Sequence, residues 1–173
     1  MAKWMAGFAA AAFLIAAGTA QAQPKTAAQP FNARKPADVA SALTQAGATG
    51  VLETDKSGNL FFKGQQNELN FSVEFRDCSA DKSSCKAAYY MASWEMDSPP
   101  LKTLNLWNDV TYVCAAFQAA DGSPYLKMGF LPQTSDTRAG FIEDHDMWLQ
   151  CVGEFRGLLA DPDAFEASIA APN

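Results

Sequence analysis

His145 is the only histidine in the chain, and Glu143, Asp144 and Asp146 surround it. An imidazole among carboxylates is the arrangement of a general base or a metal ligand. A hydrolase would also need a nucleophile beside the ring, and zinc would need two or three more ligands of the right type. The motifs H-E-x-x-H, G-x-S-x-G and the P-loop are absent. The same acids fit the early part of a helix, where the macrodipole favours negative charge. On a helical wheel His145 lies about 60° from Trp148, at the edge of an apolar stripe. The pattern therefore favours acids placed early in a helix over catalysis, and leaves a structural hydrogen bond as the alternative role for His145.

Asp55, Ser57, Gly58 and Asn59 have the look of a calcium loop, but the glutamate required at its twelfth position is Gln66 here. The segment reads as a hairpin turn. Asn105 and Asn108 flank Trp107. They are either a polar contact surface or caps that hydrogen-bond to backbone and fix the next strand, and the second reading is favoured. No residue set points to a metal or a cofactor.

Four cysteines, Cys78, Cys85, Cys114 and Cys151, allow three pairings. Cys78 and Cys85 flank a polar loop between two strand-like runs, which predicts a bridge pinning a hairpin end. Chain entropy assigns that bridge about 2.5 kcal/mol. Cys114 and Cys151 are either a bridge between sheet and C-terminal helix, contributing about 4 kcal/mol, or two buried thiols. With no C-x-x-C and no basic neighbour, a redox-active pair is disfavoured.

Those residues need elements to hold them. The chain has 173 residues, 49% of them apolar and 18% charged, with a net charge of −6. This suffices for one folded core and excludes general disorder. An acidic chain without a basic stripe is not expected to bind nucleic acid. Only one long apolar run exists, which excludes a multi-span membrane protein. It follows Lys3 and ends at Ala20-Gln21-Ala22. This layout predicts a signal peptide over residues 1–22, cleaved after Ala22, and an exported chain in a bacterial periplasm or beyond. No membrane association is expected after cleavage.

Residues 23–35 read as a flexible lead-in, 36–160 as the domain and 161–173 as a C-terminal tail. Pro36 suits a helix first turn, with Val39, Leu43 and Ala46 on one face and Gly47 at its end. Strand material follows at Val51–Glu53, Leu60–Phe62, Leu69–Arg76 and Ala87–Met96. Leu69, Phe71, Val73 and Phe75 alternate strictly with polar residues. Leu101–Trp107 reads as a helix, Asp109–Phe117 as a strand, and Leu126, Met128 and Phe130 as its hairpin partner. A final helix spans roughly Thr137–Leu159, with Phe141, Trp148, Val152, Phe155 and Leu159 on one stripe. The order α-β-β-β-β-α-β-β-α predicts an α+β fold, an antiparallel sheet with helices on one face.

Placing Tyr90, Trp94, Leu126, Met128 and Phe117 in the core puts Tyr89, Met91, Tyr112, Cys114, Tyr125 and Leu131 on the outer face of the sheet. An apolar, tyrosine-rich outer face predicts a partner or a covering segment. It also turns Cys114 away from the helix of Cys151, in conflict with their bridge.

The strand ending in Cys78, Cys85 opening an aromatic strand, Leu104-Asn105-Leu106-Trp107-Asn108, the Asp121-Gly122 turn, and a last helix with Trp148 and Phe155 together resemble the YbjN-domain family. Its members are described broadly as bacterial sensory-transduction regulators. The resemblance runs from about residue 37 to 160. It implies a fold similar to type III secretion chaperones and a binding or regulatory role without assigned chemistry, so no catalytic residue carries over. The family usually has basic residues after the Trp-Asn pair, whereas this chain has Val110-Thr111-Tyr112-Val113-Cys114. The expected function is a binding module engaging another protein or a second copy of itself. The alternatives are a small-ligand sensor and, last, an enzyme using His145 and its neighbouring acids.

Overall fold

The computed structural model describes residues 30–170. The expected leader, residues 23–29 of the lead-in and the last three residues lie outside them. Pro36 opens α1 (Pro36–Gln45), where its fixed φ is pre-set for the first turn. Four antiparallel strands follow: β1 (Thr49–Thr54), β2 (Leu60–Gln66), β3 (Leu69–Arg76) and β4 (Ala87–Ser93). Next come α2 (Leu101–Val110), β5 (Ala115–Gln118), β6 (Pro124–Phe130), α3 (Arg138–Ala160) and α4 (Pro162–Ala170). The six strands form one antiparallel sheet in the order β1-β2-β3-β4-β6-β5. The class is the expected α+β.

The alternation in β3 does what a period of two must do. Leu69, Phe71, Val73 and Phe75 are buried, and the residues between them face the other way. Register carries the same inner face into Phe62 of β2, Ala88, Tyr90 and Ala92 of β4, and Leu126 and Met128 of β6. The helices lie on this face. From α3, Phe141, His145, Trp148, Val152, Phe155 and Leu158 are buried. Trp148 stacks on Tyr90 with ring centroids 5.3 Å apart, and Phe155 meets Trp107 edge-on at 5.1 Å. The last turn of α3 buries Leu158 rather than the expected Leu159, which is half-buried. Gly64 leaves room for this layer, because a Cβ there would meet the rings of Phe62 and Phe71 at 2.6 and 2.7 Å.

Three segments depart from expectation. Residues 30–35 are part of the fold. Phe31 packs on Phe141, Ala33 is buried, and the Arg34 carbonyl accepts from the Cys85 amide at 2.8 Å. The tail is largely a helix: Pro162 takes the first turn of α4, the Asp161 carboxylate accepts from the Ala164 amide, and Phe165 lies on Trp107. The predicted strand at 109–117 is shorter. α2 runs on to Val110 because no breaker interrupts it, and residues 111–114 form a tight connector before β5.

Both disulfides are present, Cys78–Cys85 and Cys114–Cys151. Cys114 is buried on the inner side, not on the outer face. The expectation failed by one residue of phase. It placed Phe117 inward, whereas Ala116 points inward and Phe117 outward. A one-residue slip in a strand exchanges its two faces completely. Correcting it removes the conflict and lets Cys114 meet Cys151. Two disulfides fit an exported protein. No helix among the described residues is long and apolar enough to cross a membrane.

Candidate functional site

The sheet has a second face that no helix covers among the described residues. Its residues follow from register. Val51 and Glu53 of β1 stand beside Lys63 and Phe61 of β2. Ser72, Glu74 and Arg76 of β3 stand beside Met91, Tyr89 and Ala87 of β4. Lys127 and Tyr125 of β6 lie beyond Met91 and Ser93. Phe117 of β5 closes the row, stacked on Tyr125 with centroids 5.3 Å apart. The lead-in does not shield this face where it is described, since Phe31 sits against α3.

Tyr89, Met91 and Tyr125 are therefore on the outer face, as expected. Tyr112 and Leu131 lie outside the strands. Tyr112 belongs to the connector after α2 and is 98% exposed, and Leu131 is exposed one residue beyond the end of β6. Strand periodicity does not reach either position, because β5 starts at Ala115 and β6 ends at Phe130. Phe117, expected in the core, is 40% exposed and joins the outer row. Trp94, also expected in the core, is half-buried beyond β4 and packs edge-on against Phe155.

The face is less apolar than expected, because charged side chains interleave with the aromatics. The Tyr89 hydroxyl joins Arg76 and Glu74, which form an ion pair. The Lys127 ammonium sits 3.9 Å from the centre of the Tyr89 ring, a cation–π contact. Partial burial and the Glu74 hydrogen bond push the Tyr89 phenol up, and the Tyr89 hydrogen bond raises the Arg76 guanidinium further. Tyr89 is held rigidly by these partners. Met91, Ser72, Asn70, Lys63 and Tyr125 line a shallow depression of about 240 Å³ beside it. A rigid aromatic floor rimmed by lysines suits a protein surface with aliphatic and acidic groups.

His145 is buried between Phe71 and Tyr90, with centroids 5.8 and 5.6 Å away. Its Nε2 is 2.8 Å from Gln66 Oε1, and Gln66 Nε2 donates to the Ala46 carbonyl at 3.0 Å. The amide must therefore accept from the imidazole, and this chain of bonds ties α3 to β2 and to the end of α1. Burial holds the imidazole below its ordinary value of 6.5, and Asp146 offsets this in part. Glu143, Asp144 and Asp146 are exposed on other sides of the helix. The place of His145 at the edge of the apolar stripe allows such a hydrogen bond, but Gln66 lies 79 residues away and no local pattern points to it.

The Asp55 carboxylate is taken up by its own turn. It accepts from the Ser57 and Asn59 amides and from Asn59 Nδ2, each at 2.8 Å, which holds the carboxyl below the usual range. Gly58 there has φ +84°, the left-handed position a tight hairpin needs. No cluster of three metal-ligating side chains occurs among the described residues.

Asn108 is the polar residue whose role the structure makes most specific. Its Oδ1 accepts from the Ala116 amide at 2.8 Å, and its Nδ2 donates to the Ala116 carbonyl at 3.0 Å. One side-chain amide thus replaces a strand partner along the outer edge of β5. Trp107 Nε1 donates to the Cys114 carbonyl at 2.8 Å, and the Cys114–Cys151 bond holds the same point. Asn105 has no such role and lines an exposed depression between α2 and α4. Comparison with protein-family models, with curated proteins and with solved structures returns no match for this chain.

Proposed function

We propose that the chain is an exported binding module of the YbjN type, working in the bacterial periplasm or outside the cell after its leader is removed. Its partner is another protein, engaged on the uncovered sheet face, and the domain uses neither metal nor cofactor. A fold similar to type III secretion chaperones is part of the same reading. The observation that carries it is the row Phe117, Tyr125, Met91 and Tyr89 on a face that no helix covers among the described residues. Large side chains pre-set on a rigid sheet lose little entropy on binding. Lys63 and Lys127 at the rim favour an acidic partner surface.

The reading is tested by placing a photo-crosslinking residue at Met91 in the exporting cell, with a control at the exposed Glu154 of α3. A discrete adduct with a second protein at position 91, absent at 154 and lost on Tyr125→Asp, is the expected result. Equal adducts at both positions, or none at 91, would contradict it.

A further inference from the structure

The two edges of the sheet offer their backbone to different degrees. Along β5 the outward N–H and C=O of Ala116 are both taken by Asn108. Along β1 the phase is set by the hairpin, where the Asp55 amide bonds to the Asn59 carbonyl and so points toward β2. Alternation then turns Gly50, Leu52 and Thr54 outward, with their N–H and C=O groups toward solvent. All six residues of β1 are exposed, Val51 at 56% and Leu52 at 37%. Natural edges are blunted by proline, lysine, a bulge or a cover. Among the described residues the strand Thr-Gly-Val-Leu-Glu-Thr has none of these, and Glu53 is its one charge.

We infer that β1 pairs antiparallel with β1 of a second copy, joining two sheets into one about a two-fold axis. The axis stands perpendicular to the sheet, so inner faces continue as inner faces. Centring the pair on Leu52 uses all three outward residues: Leu52 faces Leu52 and Gly50 faces Thr54, giving about six backbone hydrogen bonds. The two leucines meet on the inner side. On the outer side Glu53 faces Val51 of the other copy, so the two glutamates never oppose each other.

Charge favours a copy of this strand over an arbitrary one. Val51 lies beside Lys63 of β2, and Arg76–Glu74 is the one ion pair among the described residues, so Lys63 has no carboxylate partner there. In this register Glu53 of one copy and Lys63 of the other stand two strand steps apart, about 10 Å, within reach of two long side chains leaning over Val51. The edge suits a strand with an apolar residue facing Leu52 and an acid facing Val51, and β1 supplies both. The contact is smaller than the ~1,000 Å² of a stable interface, so the dimer is weak and concentration-dependent. The dimer shares only Lys63 with the proposed partner face and leaves the row from Phe117 to Tyr89 open, and Leu52→Pro tests the dimer without touching Lys63.

The test is the solution mass of the protein purified from the exporting host, measured by sedimentation across a dilution series. The wild type is expected to pass from monomer to dimer mass and no further. Leu52→Pro removes an outward N–H without touching the bonds to β2, and is expected to stay monomeric with an unchanged melting temperature. Should that variant unfold, charge exchange decides. Glu53→Lys and Lys63→Glu are each expected to weaken the dimer roughly tenfold, and the double exchange to restore it. A wild type that is monomeric up to about 1 mM, open-ended oligomers, a folded Leu52→Pro that dimerises normally, or single charge variants that dimerise like the wild type would overturn the inference.

Discussion

At the β5 end of the sheet, the side-chain amide of Asn108 occupies the outward backbone of Ala116, Trp107 holds the Cys114 carbonyl, and a disulfide fixes Cys114 to α3. At the β1 end, six exposed residues are held by pairing with β2 and by α1 behind them. Among the described residues one edge is finished by its neighbours and the other faces solvent. Both are edges of one sheet, so the contrast comes from what the neighbouring helix supplies. α2 ends beside β5 with an asparagine facing the strand. α1 ends in Gln45, Ala46 and Gly47, and Gln66, not the β1 edge, bonds to the Ala46 carbonyl. Open edges recruit strands, and closed ones do not.

The largest effect is expected at the closed end. Replacing Cys114 and Cys151 together by serine should lower stability by about 4 kcal/mol in urea titration, against about 2.5 kcal/mol for the Cys78–Cys85 pair. Equal losses would mean that the staple at β5 has no special weight. Asn108→Ala should cost about 1–3 kcal/mol by leaving the Ala116 groups unpaired. It should also convert the finished edge into a second open one, read as chain-like association in light scattering. A variant that is destabilised yet stays as small as the wild type would show that Asn108 does not guard the edge.

His145 gives a pH signature. Its imidazole is neutral in the fold and below its ordinary 6.5, so the unfolded chain takes up a proton first as pH falls. The stability from the neutral ring is complete above 6.5 and declines as pH drops through that value, levelling off below the lowered one. The melting temperature should fall over this window, and His145→Gln should flatten that step. An identical slope in the variant would remove His145 as its source. The smallest effect belongs to the open edge, where Val51→Thr should change stability by less than about 0.5 kcal/mol because the site is exposed.

Much of this architecture is legible in the residues. The alternation of Leu69 to Phe75 encodes a strand with one buried face, and the stripe through Trp148 and Phe155 encodes the helix that covers it. The Asp55–Asn59 turn is legible because its hydrogen bonds are local. What was not legible depends on where a pattern stops. A period of two does not hold past a strand end, where Tyr112 and Leu131 lie, and Ala115–Gln118 is too short to declare the phase that turns Phe117 outward. The α4 helix was signalled by Asp161-Pro162, which serves as both a stop and a start. Gln66 with His145, and Asn108 with Ala116, are tertiary pairs that no local pattern specifies.

The claim that one edge is closed and the other open is tested most directly by residue-resolved amide exchange at low and high protein concentration. The account predicts that the Ala116 amide is protected at both concentrations and loses protection in Asn108→Ala. It predicts that the Leu52 and Thr54 amides exchange almost freely when dilute and slow markedly when concentrated. Leu52 protected as well as Ala116 in dilute solution, or Ala116 exchanging freely, would contradict it.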